Sequence, residues 1–170
     1  KRPKNIRQIG TIKDSSKVIY VEDYVMTYIK QLSTRDYTGC KVTVLLGYYI
    51  LTEDGKDLFI KGAVEMKNVD ISSNLSFSDE AWTSIYESIK RYFTEVEIVG
   101  WALIGPDFFL DNGDRLRKIH VDNFSGADKV LLKMDSIEKE EAFYIFESNQ
   151  LIKQGGYYIY YEKNEDMQNY

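Results

Sequence analysis

The sequence predicts an α/β domain in which a mixed sheet carries helices on its faces. Two kinds of segment lead to this fold class: amphipathic stretches with helical spacing, and runs rich in β-branched and aromatic residues. Their order along the chain is β-α-β-β-α-β-α-β-β-β, which suits a sheet with parallel and antiparallel neighbours. The 170 residues are enough for one domain with its own core, so we predict a single domain spanning 1–170.

The first half of the chain predicts a strand, a helix and a hairpin. A short strand at 17–20 passes into a helix whose apolar residues recur on one face: Val21, Tyr24, Val25, Tyr28, Ile29 and Leu32. Two extended runs follow at 41–51 and 57–66, and the Asp54-Gly55 pair between them predicts a tight turn. The first ten residues, which open with the basic string KRPK, are expected to be flexible.

Segment 79–93 is the strongest helix in the sequence. Ser78 is a suitable N-cap, and Phe77 and Trp82 have the spacing of a hydrophobic staple. The predicted buried stripe of this helix contains Trp82, Ile85, Tyr86, Ile89, Tyr92 and Phe93. The remaining predicted elements are a strand at 96–105, a weaker helix at 115–121, and three strands at 129–135, 142–148 and 156–163.

Composition excludes several classes of protein. A net charge of −5 lacks the basic surface that non-specific nucleic-acid binding needs. A single cysteine, Cys40, cannot form an internal disulfide framework. No apolar run approaches the roughly 20 residues of a membrane span, and the opening residues do not have the pattern expected of a signal peptide. Because the chain begins without Met and stops at Tyr170 in polar sequence, we expect it to be a domain of a longer protein.

The string IVGWALIGP, at 98–106, resembles a known family. Gly100-Trp101 and Pro106, placed after the second long helix, are similar to a motif of the JAMM/MPN fold, which has a cytidine-deaminase-like architecture. That family contains zinc-dependent deubiquitinases and inactive scaffold relatives. In its catalytic members a Glu lies in the strand after the first helix, a segment that contains the Gly-Trp pair and the Pro supplies two His, and an Asp follows about ten residues later.

The same resemblance indicates which residues stand at the positions of the former site. Cys40 occupies the Glu position, Leu103 and Gly105 occupy the two His positions, and Leu116 falls at the Asp position. The count of histidines gives an independent argument, because His120 is the only one in the chain. A zinc site with two histidines is therefore impossible within one chain. We expect a catalytically inactive domain with no metal and no cofactor.

The alternative class is an enzyme with a non-metal site, a thiol or carboxylate hydrolase. Cys40 and His120 could serve as nucleophile and base, or could bind zinc with a carboxylate, although they lack ligand spacing. The competing interpretation is a small buried residue and a surface histidine. Asp107, Asp111 and Asp114 could gather carboxylates for acid–base chemistry or calcium, but such density is also typical of turns.

A partner surface is predicted beside the former metal cleft. Phe108 and Phe109 follow Pro106 directly, and adjacent side chains of an extended segment point to opposite sides. One of these rings is therefore exposed, unless both tuck under the loop. With Trp101 they form our candidate contact for a protein partner or a second copy, because MPN-type domains commonly pair.

A second resemblance covers most of the chain. It rests on the strings KNIRQIG, VIYVEDYVMTYIKQL, EIVGWALIGP, DNFSGADKVLLKMD, EKEEAFYIFE and GGYYIYYEKNEDMQNY. They are similar to the amino-terminal domain of clostridial LysM-containing proteins. In that group a polar linker, one membrane span and a peptidoglycan-binding LysM module follow this domain.

The layout of that group implies a place for the domain on the cytoplasmic side of the cell membrane. Contact with membrane or peptidoglycan would occur only through parts that are absent from this chain. The expected function is an inactive interaction or assembly module of a membrane-linked cell-envelope protein.

Overall fold

A computed structural model describes residues 3–35, 39–67, 69, 77–106 and 113–170. Within these residues the strands are β1 (Ile6–Gly10), β2 (Lys17–Glu22), β3 (Lys41–Leu51), β4 (Lys56–Met66), β5 (Glu97–Gly105), β6 (Val130–Asp135), β7 (Glu141–Glu147), β8 (Gln150–Lys153) and β9 (Gly156–Tyr160). The helices are α1 (Asp23–Arg35), α2 (Asp79–Tyr92), α3 (Gly113–Asn123) and α4 (Glu165–Asn169). None of the helices in these ranges is long and apolar enough to cross a membrane.

The strands form one curled, mixed sheet in the order β1-β9-β2-β4-β3-β5-β6-β7-β8. The pairs β2–β9, β2–β4 and β5–β6 are parallel, and the other neighbours are antiparallel. Although five strands separate β9 from β7 in this order, the two touch: Tyr157 donates a hydrogen bond to Glu141 at 2.8 Å. The sheet therefore curls toward a barrel, with α1 against β2, β4 and β5, and α2 against β4. The predicted α/β class with a mixed sheet is confirmed.

The predicted turn between β3 and β4 is present. The Thr52 amide donates to the Gly55 carbonyl at 2.8 Å and closes the hairpin. Gly55 is required here because a Cβ at this position would collide with the carbonyl oxygen of Ser16. The start of β2 therefore packs directly against the hairpin.

The predicted start of α2 is also confirmed. The Ser78 hydroxyl accepts a hydrogen bond from the Ala81 amide at 3.1 Å, and the Phe77 and Trp82 rings meet edge to face at 6.1 Å. Ile85 and Phe93 are buried beneath the helix. Tyr86 was predicted in the buried stripe but is 57% exposed, because the helix turns this position toward solvent.

The structure corrects the prediction in three further places. Ile6–Gly10 is not flexible but forms an edge strand, since β9 offers it an antiparallel partner. Ser148 and Asn149 adopt left-handed backbone with φ of 52° and 61°, so the chain turns into an unpredicted strand, β8. Tyr24 is 45% exposed, and α1 buries Met26 instead.

Aromatic residues cover the sheet face opposite the main core. Tyr158, Tyr20, Phe59 and Tyr48 are register neighbours on the adjacent strands β9, β2, β4 and β3. Their rings stack in succession, with centroid distances of 5.1, 4.5 and 5.4 Å. This ladder explains part of the high tyrosine content, because cross-strand aromatic pairs stabilise a sheet through their own contacts.

Candidate functional site

Cys40 and Gly105, two of the candidate positions from the sequence, lie together at one end of the curled sheet. Cys40 lies immediately before β3 and Gly105 ends β5, which pairs with β3. A Cβ added to Gly105 would be 3.3 Å from the Cα of Cys40, so the two backbones touch. Leu103 lies two residues earlier on β5, and Leu116 projects from α3. Cys40 and Gly105, which the resemblance pairs, are thus brought together.

Apolar packing fills the neighbourhood of these positions. Leu103 is 1% exposed and Leu116 is 2% exposed, and both belong to the main hydrophobic core. Neither side chain carries an atom that could bind a cation. Within the ranges that the structure describes, no group of three or more His, Cys, Asp and Glu side chains is placed to hold a metal ion.

The Cys40 thiol is half-buried and weakly acidic. Burial raises its pKa to about 12, although Arg115 and Lys41 nearby favour the thiolate. Because the thiolate is the reactive species, a thiol with this pKa stays protonated and poorly nucleophilic at neutral pH. The environment of Cys40 is that of a packed small residue.

His120 was interpreted as a surface residue, and that interpretation is wrong. Its side chain is 1% exposed, and the Trp101 indole donates a hydrogen bond to its Nδ1 at 3.0 Å. The neutral ring therefore carries its proton on Nε2, which has no hydrogen-bond partner among the described residues. His120 is consequently not hydrogen-bonded to Cys40, and the predicted nucleophile and base are not assembled in this conformation.

The environment of His120 favours the uncharged ring. Desolvation lowers its pKa to about 4, and the nearby Lys129 ammonium acts in the same direction. The imidazole stacks on Phe146 with 5.3 Å between ring centroids. His120 is thus a neutral core residue that fixes the orientation of Trp101.

Of the three residues in the predicted partner contact, the structure describes only Trp101. Trp101 is fully buried and stacks face to face on Phe124 at 5.4 Å, so its assignment as a contact residue is wrong. Phe108 and Phe109 lie outside the described residues, as do Asp107 and Asp111. Asp114 lies in the first turn of α3, where a carboxylate is favoured by the helix dipole.

An aromatic groove that we did not predict lies between α2 and the end of α3. Its volume is about 610 Å³. We call it the α2–α3 groove; its lining includes the apolar and aromatic side chains of Trp82, Tyr86, Ile89, Ile98 and Phe124 and the charged side chains of Glu97, Asp122 and Lys129. Trp82 and Tyr86 stack at 6.0 Å along the exposed side of α2. Their spacing of four residues could have indicated the pair, but only the docking of α3 shows that Phe124 completes the groove.

Comparison with known proteins supplies a fold but no family. No family model matches the sequence, and no curated protein matches it. The structure is similar to the solution structure of protein DSY2949 from Desulfitobacterium hafniense, with a TM-score of 0.57 and 10% identity. The match covers 86% of this chain and 94% of that chain. At this identity the similarity extends to the fold alone.

Proposed function

We propose that this chain is a catalytically inactive JAMM/MPN-like interaction module. The observation that carries the proposal is the packing at the end of β5, where the resemblance places a metal site. Leu103 and Leu116 belong to the core, and Gly105 lies against Cys40. The side chains of Leu103, Gly105 and Leu116 offer no ligand atoms to a hydrated ion.

The contact between Gly105 and Cys40 supports the proposal that the former metal site has closed. An imidazole at 105 would need a Cβ 3.3 Å from both the Cα of Cys40 and the carbonyl oxygen of Gly39, which is tighter than ordinary van der Waals contact. The backbone of Gly39 and Cys40 would have to move by a few tenths of an ångström to admit a histidine at this position. Glycine fits the present packing without that movement.

The α2–α3 groove supports an interaction role. Tyr86 is 57% exposed beside the partly buried Trp82, and exposed aromatic surface is enriched where proteins bind one another. The partner we propose is a second copy of the domain, as the pairing of MPN-type domains implies. If the groove instead binds a different partner, the purified domain should stay monomeric in the test below.

The second resemblance supports a role for this module in a cell-envelope protein. We propose that it is the amino-terminal domain of a clostridial LysM-containing protein and works on the cytoplasmic side of the membrane. The hydrolase alternative has less support, because the raised pKa of Cys40 and the buried His120 both oppose thiol chemistry.

Purified domain should contain no stoichiometric zinc, because the side chains of Leu103, Gly105 and Leu116 offer no ligand atoms. Elemental analysis after dialysis measures the metal directly, and thermal unfolding with and without a chelator should give the same melting temperature. Zinc retained at one atom per chain, with a melting temperature lowered by the chelator, would show that the domain has kept or rebuilt a metal site.

Replacing Tyr86 with Ser should weaken self-association by about tenfold, because aromatic side chains dominate interface energies. Tyr24→Ser is the matched control, since Tyr24 is also exposed but lies on α1. Sedimentation velocity over a range of concentrations compares both variants with the parent protein. A parent protein that stays monomeric, or equal effects of the two variants, would remove the groove from the proposal.

A further inference from the structure

A cavity lies at the end of the curled sheet opposite Cys40 and Gly105. We call it the mouth pocket; its volume is about 270 Å³, and it opens where β2, β4 and β6 begin and β7 approaches its end. Its floor is apolar and consists of four core side chains: Ile19, Leu58, Val130 and Ile145. None of the positions of the former metal site lines this pocket, and Lys129 is the one residue that it shares with the lining of the α2–α3 groove.

Three polar contacts hold the walls of the mouth pocket. Lys17 forms an ion pair with Glu147 at 2.6 Å, which joins the start of β2 to the end of β7. Lys56 pairs with Asp128 at 2.7 Å, and the Tyr49 hydroxyl donates to the Asp128 carbonyl at 2.8 Å. These contacts connect segments far apart in sequence, so the opening is largely formed before any ligand binds.

Lysines outnumber carboxylates among the side chains that line the mouth pocket, although the whole chain carries −5. Lys17, Lys56 and Lys129 face two carboxylates, and each carboxylate is already paired with one of the first two lysines. Lys129 has no ion-pair partner within the part of the chain that the structure describes, and it lines the pocket. Lys129 is therefore the lining lysine that a single anionic group can pair with, and Glu97, whose charge acts on Tyr49, is a further carboxylate that the structure shows beside the pocket.

The volume limits the size of the ligand. An apolar cavity of about 150 Å³ can hold benzene, whereas pockets for drug-sized ligands span about 300–1,000 Å³. The mouth pocket, at about 270 Å³, has room for one ring with a short side chain or for a short alkyl chain. The Tyr49 ring supplies an aromatic wall for such a body.

We propose that the mouth pocket binds a small monocarboxylate whose body is one aromatic ring or a short alkyl chain. The apolar body contacts Ile19, Leu58, Val130 and Ile145, and the carboxylate pairs with the Lys129 ammonium. The ion pairs at Lys17 and Lys56 keep the opening in shape and leave those lysines satisfied. A neutral molecule of the same shape binds more weakly, because it leaves Lys129 without an anion.

The test uses 3-phenylpropionate as the charged probe and 3-phenylpropanol as its uncharged match. Backbone amide shifts followed by NMR titration should move at Tyr49, Val130 and Ile145. Lys129→Gln should weaken 3-phenylpropionate binding by about tenfold, the size expected for a lost charge-assisted hydrogen bond, and leave 3-phenylpropanol unchanged. Lys118→Gln is the control, since Lys118 is an exposed lysine on α3 that does not line the pocket.

A second variant tests the location by obstruction. Ala127 is exposed and lines the opening, so Ala127→Trp should block the pocket without disturbing the core. Both probes should then lose their shifts while the unfolding midpoint stays unchanged. The proposal is overturned if millimolar 3-phenylpropionate moves no amide at the pocket, if Ala127→Trp binds as the parent does, or if the two lysine variants behave alike.

Discussion

Replacing Ile85 with Asp is expected to leave the domain unfolded at room temperature. Ile85 is 0% exposed and lies in the main core, where α2 packs on the sheet. The substitution removes a buried side chain, which costs about 2–5 kcal/mol in comparable truncations, and adds an unpaired carboxylate to an apolar site. Since a typical domain has only about 5–15 kcal/mol of net stability, the sum removes most or all of it.

Circular dichroism and urea unfolding measure this effect, with Thr83→Asp as the control. Thr83 is exposed on the same helix, so an Asp there stays hydrated and should leave the unfolding midpoint nearly unchanged. Ile85→Ala provides an intermediate step, with a loss of about 2–5 kcal/mol and a folded protein. A melting temperature of Ile85→Asp equal to that of the parent would show that α2 does not seal the core at this position.

The elements that sequence predicts well here are those specified by neighbouring residues. Ser78 caps α2 and Phe77 meets Trp82 because both interactions need only a few consecutive positions. The turn at Gly55 follows from its dipeptide in the same way. Each of these signals can be read without knowing what the rest of the chain does.

The strands β1 and β8 were missed for the opposite reason. Their sequences, IRQIG and QLIK, are short and half polar, so neither has a strong strand pattern of its own. Each exists because a stronger neighbour, β9 or β7, offers an antiparallel edge. Pairing across the sheet is decided by tertiary structure, and local sequence carries little of that information.

The candidate site likewise has one part that the sequence could indicate and another part that depends on tertiary structure. Cys40 and Gly105, which the sequence singled out as candidate positions, lie in backbone contact. The burial of Trp101 and His120 could not be predicted, because it depends on how α3 docks on β5. A contact through Phe108 and Phe109 stays a prediction, since both lie outside the described residues.

The burial of His120 predicts a specific loss of stability in acid. Its pKa is about 4 in the folded protein, below the ordinary value of 6.5, so between these values the unfolded chain binds the proton more tightly. Above pH 6.5, the pKa of His120 in the unfolded chain, the residue does not destabilise the folded protein. As the pH falls from there toward about 4, the pKa in the folded protein, the folded protein loses stability. Lowering the pH from about 7.5 to about 5 should cost about 2 kcal/mol through His120 alone.

His120→Asn separates this contribution from that of the carboxylates. The Asn side-chain oxygen can still accept from the Trp101 indole, but it does not titrate. Burial raises the pKa of Glu22, which acts with the opposite sign, but Glu22 is unchanged in both proteins and cancels in the comparison. Urea unfolding at the two pH values should show the parent losing about 2 kcal/mol more than the variant. If the parent and the variant lose the same stability, His120 is protonated in the folded protein at about pH 5 and the Trp101 indole has another hydrogen-bond partner.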